Sequence, residues 1–388
     1  METSPFKQSV ERYESWMRSE LGDELVEADL ARKHELMRSG PFPFLRATFW
    51  RWCERLPSIC DGIALDKVPH ALAVGDIHLE NYGTWRDNDG RLVWGVNDYD
   101  EAAIMPYLVD LLRLATSAEI AASGRKPLRS ITLPILDGYR KGLDNPRPWV
   151  LDGSQGKPSG PRHWLREQTI VPEAERQAFW DKLEGKREEH AKRGGAGPQP
   201  RYLKALLAAL PAGSTPPDLF HRAAGLGSLG RPRWVARAIW RGGLVVREAK
   251  AALPSGWTLV NKGTRAIRSM EIGTGRFRAP DPWYGVADGI SVRRLSPNNR
   301  KIEAAGSPSA GKAGTEVDKK LGLDTLLDPI MLSAMGRDLA AIHLGTDLTE
   351  RDLAGQIEAD LRRRDDDWLE RLTEKAVRAV RKDFEAWK

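Results

Sequence analysis

Three polar side chains in the first quarter of the chain have the types and the spacing that phosphoryl transfer requires. Asp76 and Asn81 lie five residues apart in segment 75–81 (GDIHLEN), and Asp98 follows in segment 96–100 (VNDYD). In kinase-type enzymes one Asp orients the acceptor hydroxyl and accepts its proton, while an Asn and a second Asp hold Mg²⁺ against the nucleotide phosphates. The pattern therefore favours Asp76 as catalytic base and predicts that Asn81 and Asp98 bind the metal.

A purely structural interpretation competes with this one. Asp, Asn and Gly are the commonest turn-forming residues, so either cluster alone is compatible with a polar turn. Both clusters occur together, however, and each follows a short apolar run. This combination favours the catalytic interpretation.

A glycine-rich segment at 225–230 (GLGSLG) is the second candidate for substrate binding. It precedes two runs, 234–240 and 244–250, whose β-branched and aromatic residues predict a pair of strands. Glycines let a backbone approach phosphate oxygens closely, although a tight hairpin turn is the structural alternative because the pattern is weakly specific. The residues predicted to contact nucleotide phosphates are Gly225, Gly227, Ser228 and Gly230.

A basic side chain at the end of the second predicted strand completes the nucleotide site. Lys250 lies about twenty residues after Gly230, a separation that suits the Lys with which kinase-type enzymes neutralise phosphates. Arg247 lies on the same strand and points to the opposite face if the side chains alternate. Lys250 is preferred, the choice stays open, and Glu271 is a candidate for its acidic partner.

Other polar residues near these motifs have structural interpretations. His78 is typical of a side chain that hydrogen-bonds its own loop, and His343 lies on an apolar helix face, which indicates a core residue. Asp110 opens a predicted helix, where it either favours the helix N-terminus or braces the catalytic loop. Arg46 is a candidate for an additional phosphate contact.

Helices and short strands must position these groups. Helical periodicity predicts helices in 9–55 with a break near 40–43, in 108–122 and 131–143, in a segment around Met331 to His343, and in a last charged helix from about Leu353. Short strands are predicted at 70–74, 82–85 and 92–96, with Asp89 and Gly90 in the hairpin turn. The charge run 362–367 is interpreted as a solvated face of the last helix.

Composition sets wider bounds. The chain has 388 residues, 41% hydrophobic and 29% charged, with a net charge of +6, which suits two or three compact units. The basic residues are scattered and show no interleaved aromatic groove, so nucleic acid is a less favoured partner. Two cysteines without a zinc pattern, no secretory leader and no apolar run near the roughly 20 residues of a membrane span predict a cytoplasmic protein that does not bind membranes.

These motifs resemble those of the bacterial family catalogued as domain of unknown function 2252. The most specific segments are 75–83 and 97–102, supported by 33–46, 110–114, 225–230, 250–255 and 336–343. The motifs of that family are in turn similar to those of aminoglycoside-phosphotransferase-like kinases. The resemblance implies that Asp76 is the catalytic base, that Asn81 and Asp98 bind Mg²⁺, and that segment 336–343 is the helix that runs into the catalytic loop.

The resemblance implies an α+β, protein-kinase-like fold with a mainly helical large lobe and a small antiparallel-sheet lobe. Because the glycine-rich segment and Lys250 follow the catalytic loop instead of preceding it, we predict a circular permutation, which is tolerable when the old termini can be joined at the surface. The predicted units are 1–218 with a linker at about 186–200, the nucleotide-flap lobe 219–305, and the C-terminal helices 306–388.

The expected activity is ATP- and Mg²⁺-dependent transfer of a phosphoryl group to a hydroxyl of an acceptor that the sequence does not identify. A nucleotide-binding pseudokinase and a nucleotidyl-transferring protein are the alternatives. A nucleic-acid-binding protein is less favoured, and the oligomeric state stays open.

Overall fold

The computed structural model describes residues 5–152, 160–261, 263–304, 322–345 and 352–388. Helices predominate, and the strands form small antiparallel sheets, so the predicted α+β class is confirmed. Among the described helices none is both long enough and apolar enough to cross a bilayer. Cys53 and Cys60 are buried free thiols.

The helices precede, separate and follow the sheets along the chain. Those with both ends described are α1 (Pro5–Leu21), α2 (Glu27–Arg38), α3 (Pro41–Ala47), α4 (Phe49–Ile59), α5 (Leu108–Ala122), α6 (Arg129–Asp144), α7 (Pro161–Thr169), α8 (Glu173–Lys192), α9 (Pro200–Ala209), α10 (Gly256–Val260), α11 (Ser269–Gly273), α12 (Pro329–His343), α13 (Leu353–Arg363) and α14 (Trp368–Trp387). The predicted helical segments thus lie where the periodicity indicated, with Pro41 in the first turn of α3, where a missing N–H is tolerated.

The strands form three antiparallel sheets in the described residues. They are β1 (His70–Ala73), β2 (Tyr82–Arg86), β3 (Leu92–Val96), β4 (Ala103–Pro106), β5 (Trp149–Val150), β6 (Asp218–His221), β7 (Arg233–Trp240), β8 (Gly243–Ala251), β9 (Gly285–Ala287) and β10 (Ile290–Leu295). The sheet orders are β1-β4, β2-β3-β5 and β6-β7-β8-β10-β9. The glycine-rich segment lies between β6 and β7, and β7 and β8 are the two strands predicted after it.

One continuous hydrophobic core joins most of the helices to one face of the five-stranded sheet. On the opposite face, α8 covers a smaller apolar cluster that contains Leu183, Phe220, Val235 and Val246. The rest of that face carries charged side chains and borders a cavity. The five-stranded sheet therefore has one apolar face in the core and one face that α8 only partly covers.

A close helix crossing ties the C-terminal part of the chain to this core. A Cβ atom on Gly336 of α12 would lie 2.1 Å from the Ile135 carbonyl oxygen of α6, and one on Gly138 would lie 1.9 Å from the Ser333 carbonyl oxygen. Only glycine permits this approach, because any side chain would force the two backbones apart. The helix that the resemblance assigned to the catalytic loop is thus packed against α6 and β1.

Two sequence predictions need correction. The charged C-terminal segment is two helices, α13 and α14, and the run 362–367 is mainly the junction between them instead of a solvated face of one helix. Asp365 and Asp367 lie just before the N-terminus of α14, where negative charge is favourable. Both also pair with Arg371 in that helix. The predicted linker is also shorter, because α8 continues through Lys192 and α9 begins at Pro200.

Candidate active site

The turn that presents Asp76 depends on a glycine. Gly75 has a φ of +81°, and a Cβ atom on it would lie 2.5 Å from the Glu101 carbonyl oxygen. Any other residue would be strained here and would collide with the backbone. The Asp110 carboxylate, in the first turn of α5, accepts hydrogen bonds from the N–H groups of Val74 and Gly75 at 2.8 and 2.9 Å. Asp110 therefore braces the loop, one of the two roles considered for it.

Asp76 lies beside a fully buried arginine. Its Oδ1 accepts hydrogen bonds from Arg113, with Nε at 3.1 Å and Nη2 as the second donor, and Arg113 also donates to the Leu45 carbonyl oxygen at 2.8 Å. Burial raises the pKa of Asp76 to about 7, although Arg113 acts in the opposite direction. A carboxyl group that titrates near neutral pH is suited to accept a proton in catalysis.

The register of the β2–β3 hairpin brings the two predicted metal ligands together. Tyr82 pairs with Val96, so the residues just before β2 and just after β3 are neighbours. The Asn97 N–H donates to the Asn81 carbonyl oxygen at 3.0 Å. Two residues from different segments of the sequence, Asn81 and Asp98, consequently border the same cavity.

In the described residues, only one of the two polar atoms of the Asn81 side chain has hydrogen-bond partners. Its Nδ2 donates to the Asp76 carbonyl oxygen at 2.8 Å and to the Asp98 carbonyl oxygen at 3.4 Å. Its Oδ1 is buried and has no hydrogen-bond partner in the described residues. A buried acceptor without a partner costs free energy, on the order of 1–3 kcal/mol, and such atoms in native structures commonly mark an ion or water site.

Asp98 supplies a second oxygen donor at the same place. Within the described ranges its carboxylate makes no hydrogen bond or ion pair, and it borders both of the cavities described below. The described residues contain no group of three or more His, Cys, Asp or Glu that could hold an ion. Mg²⁺ needs no such group, because one or two protein oxygens suffice when water and substrate phosphates complete its octahedron. Asn81 Oδ1 and the Asp98 carboxylate therefore fit Mg²⁺.

The glycine-rich segment lies directly against the loop that carries Asp76. A Cβ atom on Gly227 would lie 3.1 Å from Asp76 Oδ2. Gly225 and Gly230 have φ values of +76° and +97°, which other residues rarely adopt. Ser228 Oγ accepts a hydrogen bond from Arg233 Nη2 at 2.7 Å, which fixes the segment to β7. The segment is therefore an ordered turn held between the sheet and the Asp76 loop.

Gly230 serves packing and does not line either cavity. A Cβ atom on Gly230 would lie 2.7 Å from Leu30 Cδ2, and its carbonyl oxygen accepts a hydrogen bond from the Val26 N–H at 3.0 Å. The last glycine of the segment thus docks on the N-terminal helices. In contrast, Gly225, Gly227 and Ser228 border the cavity beside Asp76.

Lys33 holds this segment, and the sequence interpretation missed it. Its Nζ donates to the Gly227 carbonyl oxygen at 2.9 Å and lies 4.9 Å and 5.1 Å from the ring centroids of Tyr13 and Trp50. Burial, with Arg231 nearby, lowers the pKa of Lys33 to about 7. The sequence signal that could have identified Lys33 is its position on the apolar face of α2, between Leu30 and Met37. Arg113 could have been identified in the same way, because it interrupts the apolar run of α5.

Lys250 is buried and ion-paired with Asp100. Burial lowers the pKa of Lys250, against the effect of Asp100. Burial acts to raise the pKa of Asp100, but Lys250 and Arg231 outweigh it and hold that pKa at about 2. Lys250 therefore lies behind an acidic residue of the cavity and does not itself line either cavity.

Arg247 and Glu271 lie outside this arrangement. Arg247, on the opposite face of β8, donates to the Ala209 carbonyl oxygen at 2.9 Å and stacks on Trp283. Glu271 pairs with Arg268 at 2.8 Å. The acidic partner of Lys250 is consequently Asp100, from the segment after β3, and not the helix residue Glu271.

His78 and Arg46 have internal partners. His78 Nδ1 accepts a hydrogen bond from the Glu80 N–H at 3.1 Å, and burial, with Arg46 nearby, holds the pKa of His78 well below its usual range. His78 is therefore neutral and structural. Arg46 Nη1 donates to the fully buried Glu80 carboxylate at 2.5 Å, while the Arg46 side chain borders both cavities.

Two adjoining cavities define the candidate site. The inner one, of about 50 Å³, contains the acidic groups, and the outer one, of about 260 Å³, is lined mainly by basic side chains. Both are bordered by Arg46, Asp98, Gly225, Leu226 and Lys301. Of the predicted site residues, the inner cavity brings together Asp76, Asn81, Asp98, Gly225, Gly227 and Ser228.

The comparisons with known proteins concern the region around the Asp76 loop. Residues 25–151 match the family described as "Uncharacterized protein conserved in bacteria (DUF2252)", so the predicted resemblance to this family is confirmed over those residues. The match contains Asp76, Asn81 and Asp98 and ends before the glycine-rich segment. No curated protein and no solved structure matches the chain.

Proposed function

We propose that this protein is an ATP- and Mg²⁺-dependent phosphotransferase with a circularly permuted, kinase-like arrangement of its parts. The observation that carries the proposal is that, in the described residues, the buried Asn81 Oδ1 and the neighbouring Asp98 carboxylate have no partners and lie next to Asp76. Kinase-type transfer needs a carboxylate that acts as general base, two oxygen ligands for the metal and a basic cavity for phosphates.

Asn81 Oδ1 and Asp98 would hold the metal. A Mg²⁺ ion held by these two residues would supply positive charge against the negative charge that develops on the phosphates during transfer. The hydrogen bond from Asn81 Nδ2 to the Asp76 carbonyl oxygen, at 2.8 Å, keeps the amide oxygen turned toward the cavity. The protein thus presents this ligand before the metal arrives.

Asp76 would act on the acceptor. Its Oδ1 is occupied by Arg113, which leaves Oδ2, on the side of Gly227, to accept the hydroxyl proton. As that proton leaves, the acceptor oxygen forms a bond to the γ-phosphorus, and the bond from this phosphorus to the β–γ bridging oxygen breaks. The products are the phosphorylated acceptor and ADP, and the proton later passes from Asp76 to water.

The permuted order is supported by contacts between distant parts of the chain. Asp338 of α12 accepts a hydrogen bond from the Val96 N–H at 2.8 Å and pairs with Arg278 at 2.9 Å. The helix that would lead into the catalytic loop in an unpermuted kinase thus touches the strand before Asp98. The five-stranded sheet comes between them in sequence and presents its glycine-rich turn to Asp76, as a nucleotide flap would.

A thermal-shift titration with ATP, with and without Mg²⁺, tests the proposal on the wild type and on Asp98→Ala. ATP at about 100 times its Kd stabilises the folded state by about 2.7 kcal/mol. We expect a Mg²⁺-dependent rise in Tm that Asp98→Ala lacks. Asp89→Ala is the matched control, because Asp89 is a carboxylate exposed in the β2–β3 turn. No Mg²⁺-dependent shift in the wild type would contradict the proposal.

Product analysis separates transfer from its alternatives. Mass spectrometry of a broad acceptor screen with ATP should detect ADP and an acceptor that has gained one phosphoryl group. Release of pyrophosphate would indicate nucleotidyl transfer instead. Binding of ATP without any product would indicate a nucleotide-binding pseudokinase.

A further inference from the structure

A buried carboxylate shared by three arginines lies behind the wall of the outer cavity. Glu248 of β8 pairs with Arg222, with Arg233 at 2.6 Å and with Arg293 at 2.8 Å. The three arginines come from the end of β6, from β7 and from β10, so the pairing of the strands creates the cluster. All three line the outer cavity.

The charges of this cluster do not balance. Burial acts to raise the pKa of Glu248, but the three guanidinium groups outweigh it and hold that pKa well below its usual range. Glu248 is therefore one negative charge against three positive ones. Holding several positive charges close together away from solvent costs free energy unless a negatively charged group binds to them.

The remaining lining is also rich in cations, although Arg46 and Lys186 pair with Glu80 and Glu189 outside it. Eight cationic side chains and two carboxylates, those of Asp98 and Glu303, border the outer cavity. Besides the three arginines of the cluster, the cations are Arg32, Arg46, Lys182, Lys186 and Lys301. They come from α2, α3, α8 and the segment after β10, so they surround the cavity on several sides.

We propose that the outer cavity is an anion site for a polyphosphate group, a chain of linked phosphates, that binds by charge and without a metal. Guanidinium groups match phosphate oxygens bidentately, and three of them on one face of the five-stranded sheet offer more contacts than a single phosphate can use. The site adjoins the inner cavity at Asp98, so the end of a bound chain would reach the metal ligands. The claim that the bound polyphosphate is a substrate for transfer rests on the proposed function. The anion site itself does not depend on that function.

The test uses inorganic tripolyphosphate as the probe, in the presence of EDTA. Isothermal titration calorimetry on the full chain should show one bound equivalent, with affinity that falls as salt is added. Arg293→Gln should weaken binding about tenfold or more, the expected effect of losing one charged hydrogen-bond donor. Glu248 keeps Arg222 and Arg233 in this variant, so the fold should persist, which an unchanged circular dichroism spectrum would verify.

Arg294→Gln is the matched control. Arg294 is the next residue of β10, on the opposite face, where it lies over Trp283 and borders neither cavity. The variant makes the same change in net charge, and we expect tripolyphosphate binding to stay within about twofold of wild type. Equal weakening by both substitutions would show diffuse attraction by net charge and would overturn the proposal, as would an absence of binding to the wild type.

A competition experiment identifies which molecule supplies the polyphosphate group. If metal-free ATP displaces tripolyphosphate and Arg293→Gln weakens both alike, the site takes the triphosphate of the nucleotide. If saturating tripolyphosphate leaves the Mg²⁺-dependent ATP shift intact, the site takes a phosphorylated second substrate. Arg293-dependent tripolyphosphate binding without any ATP shift would support the anion site and reject the phosphotransferase, so the two proposals fail separately.

Discussion

His343 Nε2 lies 3.1 Å from Asp110 Oδ2, a contact between residues 233 positions apart in the chain. Tyr139 completes the arrangement, with its hydroxyl 2.8 Å from His343 Nδ1. The Asp110 carboxylate also accepts the N–H groups of Val74 and Gly75. A helix near the C-terminal end thus helps to hold the loop that carries the candidate base.

We expect Asp110→Ala to reduce the free energy of unfolding by about 3 kcal/mol or more. The substitution leaves two buried backbone N–H groups without an acceptor, and each lost partner costs about 1–3 kcal/mol. Urea denaturation would measure the loss. Asp144→Ala, at the exposed end of α6, should change stability by less than about 0.5 kcal/mol. Similar values for the two variants would mean that Asp110 does not brace the loop.

The α6–α12 crossing predicts opposite effects for two Gly→Ala substitutions. Gly336→Ala places a methyl group 2.1 Å from the Ile135 carbonyl oxygen, so the helices must separate and we expect a loss of about 1–3 kcal/mol or more. Gly185→Ala, inside α8 with no atom of the described residues within 4 Å of its Cβ position, should stabilise by about 0.5–1 kcal/mol. Thermal denaturation of both variants would check the signs. Stabilisation by Gly336→Ala would rule out the close crossing.

Because Glu248 is shared by three arginines, we expect even a conservative substitution of it to lower the free energy of unfolding strongly. Glu248→Gln removes the negative charge that three arginines share and should lower the free energy of unfolding by about 3–5 kcal/mol. Glu271→Gln removes a half-exposed carboxylate paired with one arginine, and we expect a change of about 0–1 kcal/mol. The comparison can be made by guanidinium denaturation at one pH. A cost for Glu248→Gln as small as that for Glu271→Gln would show that solvent already screens the cluster.

The stability of Asp76→Asn relative to the wild type should rise with pH. Because burial raises the pKa of Asp76 to about 7 in the folded state, the folded protein binds this proton more tightly than the unfolded chain does. Stability from this group is present below its unfolded pKa, near 3.9, and is lost as pH rises to 7. The gain from Asp76→Asn should therefore grow between pH 4 and pH 8, to the order of 3 kcal/mol.

Denaturation of wild type and Asp76→Asn at several pH values would measure this gain. Asp137→Asn is the control, since the Asp137 side chain is half exposed and pairs with Lys141 on the surface of α6. Its effect should stay within about 0.5 kcal/mol throughout. In the same series, phosphotransferase activity of the wild type should rise with pH through about 7, and Asp76→Asn should lack activity. A gain that is independent of pH would contradict the raised pKa.

Local patterns allowed much of the fold to be predicted. The helices 108–122 and 131–143 and the hairpin around Asp89 and Gly90 follow from periodicity and turn chemistry, which act over a few residues. The C-terminal break was missed because an Asp-rich run suits an exposed helix face as well as a new helix N-terminus. Both interpretations are local, and only the packing of α14 against α5 decides between them.

The sequence by itself determined which groups are available: an Asp, an Asn five residues later and a second Asp after a predicted hairpin. Only the tertiary structure decided their environment. The burial of Asp76, the partner of Lys250, the anchoring of Gly227 by Lys33 and the three arginines around Glu248 all depend on contacts between elements far apart in the chain. Such contacts set desolvation and charge balance, which spacing along the chain does not encode.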